Sequence, residues 1–256
     1  MSQLFCLEGK SAVVVGGAGG IGQAIAQGLA EAGAAVAIAS RKEDSLKRAA
    51  AEIKEACGAD IKYYICDATD EAAVERLAEK SFADFGKVDI LVCSQGFNKK
   101  FDAVDFPMDV WDDMFNVNVK GVMMCNKHFG KRMKEAGSGK IIDITSVRGC
   151  MATFPMKGNA GYCATKGALD MIIRQCAAEF GPEVTVNGIA PTVTMTPMME
   201  SIVPEAAKAG IAASVPLQRM QVPQDCAGPA VFLASEASCF VTGQVLYVDG
   251  GLTAIG

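Results

Sequence analysis

Residues 11–32, SAVVVGGAGGIGQAIAQGLAEA, run a short β-branched stretch straight into glycines and then into a segment with the apolar spacing of a helix. No other feature limits the fold as much, because a strand–turn–helix unit that repeats forces its strands to lie parallel. It does repeat. Residues 35–39 read as strand with 45–56 as helix, 61–66 with 71–85, and 90–93 with a long helix through 109–134. Strands at 141–145, 184–189 and 245–248, and the helix carrying Tyr162 as far as Phe180, bring the total to about seven strands. Right-handed crossovers place helices on both faces of such a sheet.

The chain has 256 residues, enough for one sizeable core, and shows no internal linker or fixed-period repeat. The expected fold is therefore a single α/β domain over residues 1–256, a Rossmann-type doubly wound parallel sheet. A net charge of −5 without a basic block argues against nucleic acid as a partner. The opening MSQLFCLEGK lacks the basic and then apolar layout of a signal peptide, and no apolar run reaches the roughly 18 residues of a membrane span. No membrane partner is expected, and the location expected is cytoplasmic. Ten cysteines are scattered singly without a CxxC pair, so they are expected to be reduced and mostly buried. The lone His128 has no ligand cluster near it in sequence, and no metal is expected.

Ligands of open parallel sheets bind outside the carboxyl ends of the strands, so the residues that end strands are the candidates for a cofactor site. After the first strand these are Gly16, Gly20, Ile21 and Gly22, where a pyrophosphate can rest on amides at a helix N-terminus. Gly17, Gly19 and Gly22 fit the GxGxxG frame equally well, and the sequence leaves the frame open. After the second strand come Ser40, Arg41 and Lys42 rather than an acidic residue, which favours a 2′-phosphate and hence NADP, with NAD as the alternative. Arg41 and Lys42 read alternatively as the solvated start of a helix with Glu43 and Asp44. Asp67 and Ala68 follow the third strand; Asp67 either accepts from an adenine amino group or caps a helix together with Asp70. Ser94 and Gly96 follow the fourth strand, and Pro191, Val193 and Thr196 the sixth.

Tyr162 and Lys166 lie four residues apart on a helix and therefore on one face. A fixed cation beside a phenol favours the phenolate, which suits proton exchange with an alcohol. A half-buried tyrosine beside a snorkelling lysine would look the same in sequence. Ser146 ends the preceding strand, IIDITS.

Together the glycine turn, Asn118 in NVNVKG, Ser146, YCATK, VNGIAP and VTGQVLYVDGG resemble the short-chain dehydrogenase/reductase family over nearly the whole chain. The resemblance implies a tetrad of Asn118, Ser146, Tyr162 and Lys166 that interconverts a secondary alcohol and a ketone with a nicotinamide cofactor. In it Tyr162 exchanges the proton, and Ser146 binds the same oxygen. Lys166 lowers the Tyr162 pKa and holds the nicotinamide ribose, while Asn118 supports a water. By residue type alone, Asn118 also reads as a mid-helix side chain satisfied by a backbone carbonyl. The resemblance further implies a flexible flap over residues 192–216 and a homodimer or homotetramer with two-fold symmetry.

The chain departs from the family pattern at Val15, at Cys93-Ser94-Gln95-Gly96, at Thr192, and in extra residues near Pro155 and Asn159. Arg148, Lys157, Asn159, Gln95 and Asn98 are candidates to line a pocket for an acidic or polyhydroxylated substrate, with solvated loop charges as the plainer account. A sugar acid or polyol is the expected substrate. A 3-oxoacyl carrier protein reductase or a hydroxysteroid-type reductase is the alternative, and a nicotinamide-binding protein without chemistry the third.

Overall fold

A computed structural model describes residues 3–153, 157–200 and 203–255. Seven strands form one parallel sheet in the order β3-β2-β1-β4-β5-β6-β7. They are β1 (Ser11–Val15), β2 (Ala35–Ser40), β3 (Lys62–Ile65), β4 (Ile90–Cys93), β5 (Gly139–Ile144), β6 (Val184–Pro191) and β7 (Val245–Val248). The helices between them are α1 (Gly20–Glu31), α2 (Glu43–Cys57), α3 (Glu71–Phe85), α4 (Met108–Phe115), α5 (Gly121–Glu135) and α6 (Ala160–Phe180). Three more, α7 (Pro197–Glu200), α8 (Glu205–Ala213) and α9 (Ala227–Ala234), fall between β6 and β7. The strand order reverses between β1 and β4, and this switch point opens a crevice at the carboxyl edge.

Side-chain alternation assigns the buried residues of the central strands to one of two cores. Val14, Ile38, Val92, Ile142 and Ile144 face α1, α2 and α9. Val13, Ala37, Leu91, Cys93 and Ile141 face α3, α5 and α6. Burial on both faces is why the strands read as unbroken apolar runs. Truncating Ile38, which is fully buried, to alanine should cost about 2–5 kcal/mol.

The expected α/β architecture is therefore present, with two corrections. The long helix through 109–134 is not uniform: α4 and α5 are joined by a π turn at Asn116–Lys120. The segment 192–216, expected as a flap, carries α7 and α8. Of the cysteines, Cys150 and Cys239 are exposed, whereas Cys66, Cys93, Cys125, Cys176 and Cys226 are buried, and all ten carry free thiols. Residues 154–156, where the extra length before Asn159 falls in part, and 201–202 of the flap lie outside the described residues. Among the described residues, no helix is long and apolar enough to cross a membrane.

Candidate active site at the carboxyl edge

The glycine turn after β1 is shaped by steric exclusion. A Cβ on Gly16 would come within 2.6 Å of the Gln95 amide nitrogen, and one on Gly22 would overlap the Gly16 carbonyl oxygen. Gly16 (φ 81°) and Gly20 (φ 53°) occupy the left-handed region, whereas Gly17 and Gly19 do not, so backbone conformation favours the Gly16/Gly20/Gly22 frame, although a Cβ on Gly17 would also meet the Val14 carbonyl oxygen at 2.9 Å. The turn is tied by backbone bonds from Gly16 N to Ala39 O and from Ser94 N to Val15 O, each 2.8 Å. Gly19 caps α1 without a side-chain bond, the first turn carries no acidic residue, and a Cβ on Gly19 would meet no protein atom within 4 Å. Unpartnered amides facing open space at a helix N-terminus fit the pyrophosphate of a dinucleotide.

The other strand-end residues lie along the same carboxyl edge of the sheet. Thr196 reaches over the turn: its Cγ2 would stand 3.0 Å from a Cβ on Gly20. Ile21 packs against the core, and Val193 is half-buried. Ser40 ends β2; Arg41 and Lys42 follow it, both exposed, with the Lys42 amide 3.5 Å from Ser40 Oγ. Asp70, not Asp67, caps α3, accepting from Ala72 N at 3.0 Å. Asp67 instead accepts from the amide and hydroxyl of Thr69 through Oδ1. Those bonds, with the Arg41 charge as a smaller contribution, hold its carboxyl below the usual value. The Ala68 carbonyl packs against Gly121, where a Cβ would stand 2.8 Å from it.

Four strands away in sequence but adjacent in space lies a second group. Ser146, at the end of β5, accepts from Arg148 N (3.2 Å) and donates to Pro191 O (3.4 Å). Tyr162 and Lys166 lie on α6, with Lys166 Nζ 5.7 Å from the centre of the tyrosine ring. Nζ donates to Ile144 O at 2.8 Å, and the side chain is 3 % exposed. Burial brings the ammonium down to about 8, against the opposing pull of Asp143 and Asp170. Burial also pushes the Tyr162 phenol up, and the groups that pull it back are the Ser146 hydroxyl and the Arg148 cation. The Ser146 hydroxyl and the Arg148 cation thus act on the phenol beside the role expected of Lys166.

Asn118 sits at the centre of the π turn, fully buried. Its Oδ1 accepts from Phe97 N (3.0 Å), and its Nδ2 donates to Phe97 O (2.9 Å) and Thr165 Oγ1 (3.2 Å). The side chain is thus satisfied by backbone, as one reading expected, but by the loop after β4 rather than by its own helix. Gly96 lies in that loop, where a Cβ would be 3.3 Å from Asn118 Oδ1 and 3.8 Å from Lys166 Nζ. Asn118 therefore fastens the β4 loop to α6.

Of the expected pocket residues, Asn98 Nδ2 donates to Asn159 Oδ1 (2.9 Å), and Asn159 Nδ2 to Thr153 Oγ1 (3.1 Å). Arg148 Nη1 donates to Ala152 O at 2.8 Å, and Lys157 is exposed. Gln95 Nε2 points to Cys125 Sγ at 3.7 Å, and its buried Oε1 lacks a partner. Gln221, which sequence reading passed over, fixes the start of the flap. Its Oε1 accepts from Thr192 N (2.9 Å) and Thr194 Oγ1 (3.1 Å), while Nε2 donates to Val248 O (2.8 Å). His128 lies on α5 with Nε2 3.3 Å from Glu71, and no metal-binding group of three His, Cys, Asp or Glu side chains occurs among the described residues.

A glycine turn at the switch point of a parallel sheet, facing a tyrosine and a lysine on one helix, defines an NAD(P)-dependent oxidoreductase acting on CH–OH groups. The chain belongs to the short-chain dehydrogenase/reductase family: residues 16–253 match the family model described as enoyl-(acyl carrier protein) reductase. It is 35 % identical to the D-threitol dehydrogenase of Mycolicibacterium smegmatis over 250 residues, 97 % of this chain and 95 % of the relative. It is 36 % identical to the gluconate 5-dehydrogenase of Gluconobacter oxydans over 252 residues, 98 % and 97 % of the two chains. The Escherichia coli 3-oxoacyl-acyl-carrier-protein reductase is 35 % identical over 246 residues, 96 % and 98 % of the two. A crystal structure of a gluconate 5-dehydrogenase from Burkholderia cenocepacia, in complex with NADP and tartrate, superposes with a TM-score of 0.91. It is 33 % identical, and 98 % of each chain is covered.

Proposed function

We propose that the protein is an NADP-dependent dehydrogenase/reductase that interconverts a secondary alcohol and a ketone on a sugar acid or polyol. The observation that carries the cofactor choice is exposed Arg41 immediately after β2, where an acidic residue would favour NAD. The substrate class is supported by the polar rim of Asn98, Asn159, Thr153 and Arg148, and by relatives named as gluconate and threitol dehydrogenases. The bound dinucleotide supplies the hydride donor or acceptor.

The chain's own groups do the rest. Gly16, Gly20, Ile21 and Gly22 would receive the pyrophosphate and Arg41 the 2′-phosphate, with Ser40 and Lys42 beside it. Asp67 and Ala68 would border the adenine, and Ser94, Gly96, Pro191, Val193 and Thr196 the nicotinamide end. Tyr162 Oη gives a proton to the carbonyl oxygen in reduction and takes it back in oxidation. Ser146 Oγ donates to that oxygen as negative charge develops on it. Lys166 keeps a positive charge beneath the phenol, and Asn118 holds the loop that carries Gly96 against it. The flap of residues 192–216, anchored by Gln221, closes over the substrate. Exposed Met123, Met171 and Leu246, on α5, α6 and β7, are surfaces on which copies of the chain would pair as a homodimer or homotetramer.

The test is the change in reduced-nicotinamide absorbance with a panel of sugar acids, polyols, acyl ketones and steroids, each with NADP and NAD. Turnover of sugar acids or polyols with NADP is the expected result. A second reading, reduction of a 3-oxoacyl carrier thioester, follows from the Escherichia coli relative and predicts turnover of acyl ketones instead.

A further inference from the structure

Lys166 is buried among more acid than the proposed mechanism uses. Strand alternation turns Asp143 and Thr145 of the β5 segment toward α6, while Ile142 and Ile144 face the opposite core. Three consecutive residues therefore address the same lysine. Ile144 accepts from Nζ at 2.8 Å. Thr145 Oγ1 lies 3.4 Å from the Lys166 carbonyl and donates to Asp170, one helical turn on. Asp143, fully buried, makes no direct ion pair with Lys166, but it stands one residue before the carbonyl that Nζ bonds and its charge bears on the ammonium.

The carboxyl of Asp143 is held from one side only. Oδ2 accepts from Asn126 Nδ2 at 2.8 Å, and Oδ1 is buried without a partner. Asn126 is in turn oriented by Cys93, whose thiol points at Asn126 Oδ1 at 3.7 Å. Burial keeps that thiol protonated and hence a donor. A fixed carboxyl with an unfilled acceptor, beside an ammonium removed from water, is a counter-charge whose cost is tolerable only if the two are used together.

Resting on the proposed dehydrogenase reading, we infer that Asp143 is a positioning residue: a buried counter-ion, fixed by Asn126, that keeps Lys166 an ammonium and so sets the pH range over which Tyr162 exchanges protons. The other ionisable groups around this centre are Tyr162 and Asp170 on α6, with Arg174 acting on Asp170. From the remaining elements come Arg148, acting on Tyr162, and Cys93, which lies beside both Cys125 and Asp143. Burial pushes Asp143 up to about 7 and brings Lys166 down to about 8, so both are charged together chiefly between these values.

The test is a double-mutant cycle on the full chain, with Asp143→Asn, Lys166→Met and the double variant melted from pH 5 to pH 10. Asparagine keeps the bond from Asn126 and removes only the charge. The two substitutions should be non-additive near pH 7–8, and the non-additivity should fade toward pH 5, where Asp143 is protonated, and toward pH 10, where Lys166 is neutral. In turnover with NADP, Asp143→Asn should move the alkaline limb of the kcat profile down by about one pH unit, because an ammonium without its counter-charge deprotonates earlier. Additive melting shifts at every pH, or a kcat profile that keeps its position in the variant, overturns the inference. Absence of turnover in the wild-type chain would instead overturn the functional reading, since the melting cycle needs no substrate.

Discussion

The turn after β1 and the seam between β5 and α6 lie at the same edge of the sheet and are built by opposite means. The turn consists of what has been removed: side chains at Gly16 and Gly22 would collide with backbone, and the surface offered is bare amide. The seam consists of what has been buried: Lys166, Asp143 and Asp170 are all less than 5 % exposed, and each is shifted from its ordinary pKa chiefly by burial. A site made of amides and sterics has nothing to titrate, so the turn should be indifferent to pH and intolerant of volume. The seam should tolerate isosteric change and respond to pH.

The contrast breaks most visibly at Tyr162. Tyr162→Phe removes one oxygen from the seam and should lower turnover by about a thousandfold, within the usual range for a lost general acid–base. Cofactor binding, followed by fluorescence titration, should persist. Turnover within tenfold of wild type would move the proton chemistry away from α6.

The turn is sharpened by two alanines three residues apart. Gly22→Ala drives a methyl group into the Gly16 carbonyl and Ser94 Oγ, so both fold and cofactor site must shift; a melting loss equivalent to about 1–3 kcal/mol is expected. Gly19→Ala meets no protein atom, and its backbone, φ 168°, is extended and open to any residue. Its melting point should stay within about 0.5 kcal/mol of wild type, while cofactor affinity falls about tenfold or more as the methyl group enters the space above the amides. Equal melting losses in the two variants would mean that the turn is flexible enough to absorb a methyl group. Between turn and seam, Arg41→Ala should lower the NADP-to-NAD ratio of kcat/KM by roughly thirtyfold, the loss of one charge-assisted contact of about 2 kcal/mol. NAD turnover itself should be nearly unchanged.

What could be read from sequence follows the same division. Strand runs such as Ser11–Val15 and Val245–Val248, and the i, i+4 pairing of Tyr162 with Lys166, are local patterns, and they stand in the structure where the pattern puts them. The frame of the glycine turn was ambiguous because five of its seven residues are glycine, and only the positive φ at Gly16 and Gly20 separates the two choices. The π turn could not be read, because Asn118 is held by partners 21 and 47 residues away. The surroundings of Lys166 could not be read for a related reason. Its proximity to Tyr162 is local, but its hydrogen bond to Ile144 and the charges of Asp143 and Asp170 come from packing that no spacing announces. An aspartate within IIDITS looks in sequence like one more polar residue near a strand end.

The smallest effect tests the two aspartates that sequence could not separate. Asp70 accepts from Ala72 N at the start of α3, so Asp70→Ala should cost about 1 kcal/mol of stability and leave cofactor affinity alone. Asp67 faces the other way, tied to Thr69 and within the field of Arg41. Asp67→Asn should therefore weaken cofactor binding more than it lowers the melting point. The folded-state pKa of Asp67 lies below its ordinary 3.8, so its contribution to stability is complete above that value and is lost only as pH falls below it. At pH 7 the two aspartates are therefore to be told apart by substitution, not by titration. If Asp67→Asn and Asp70→Ala gave the same loss of melting point and the same cofactor affinity, the β3 edge would be a helix start and no part of the nucleotide site.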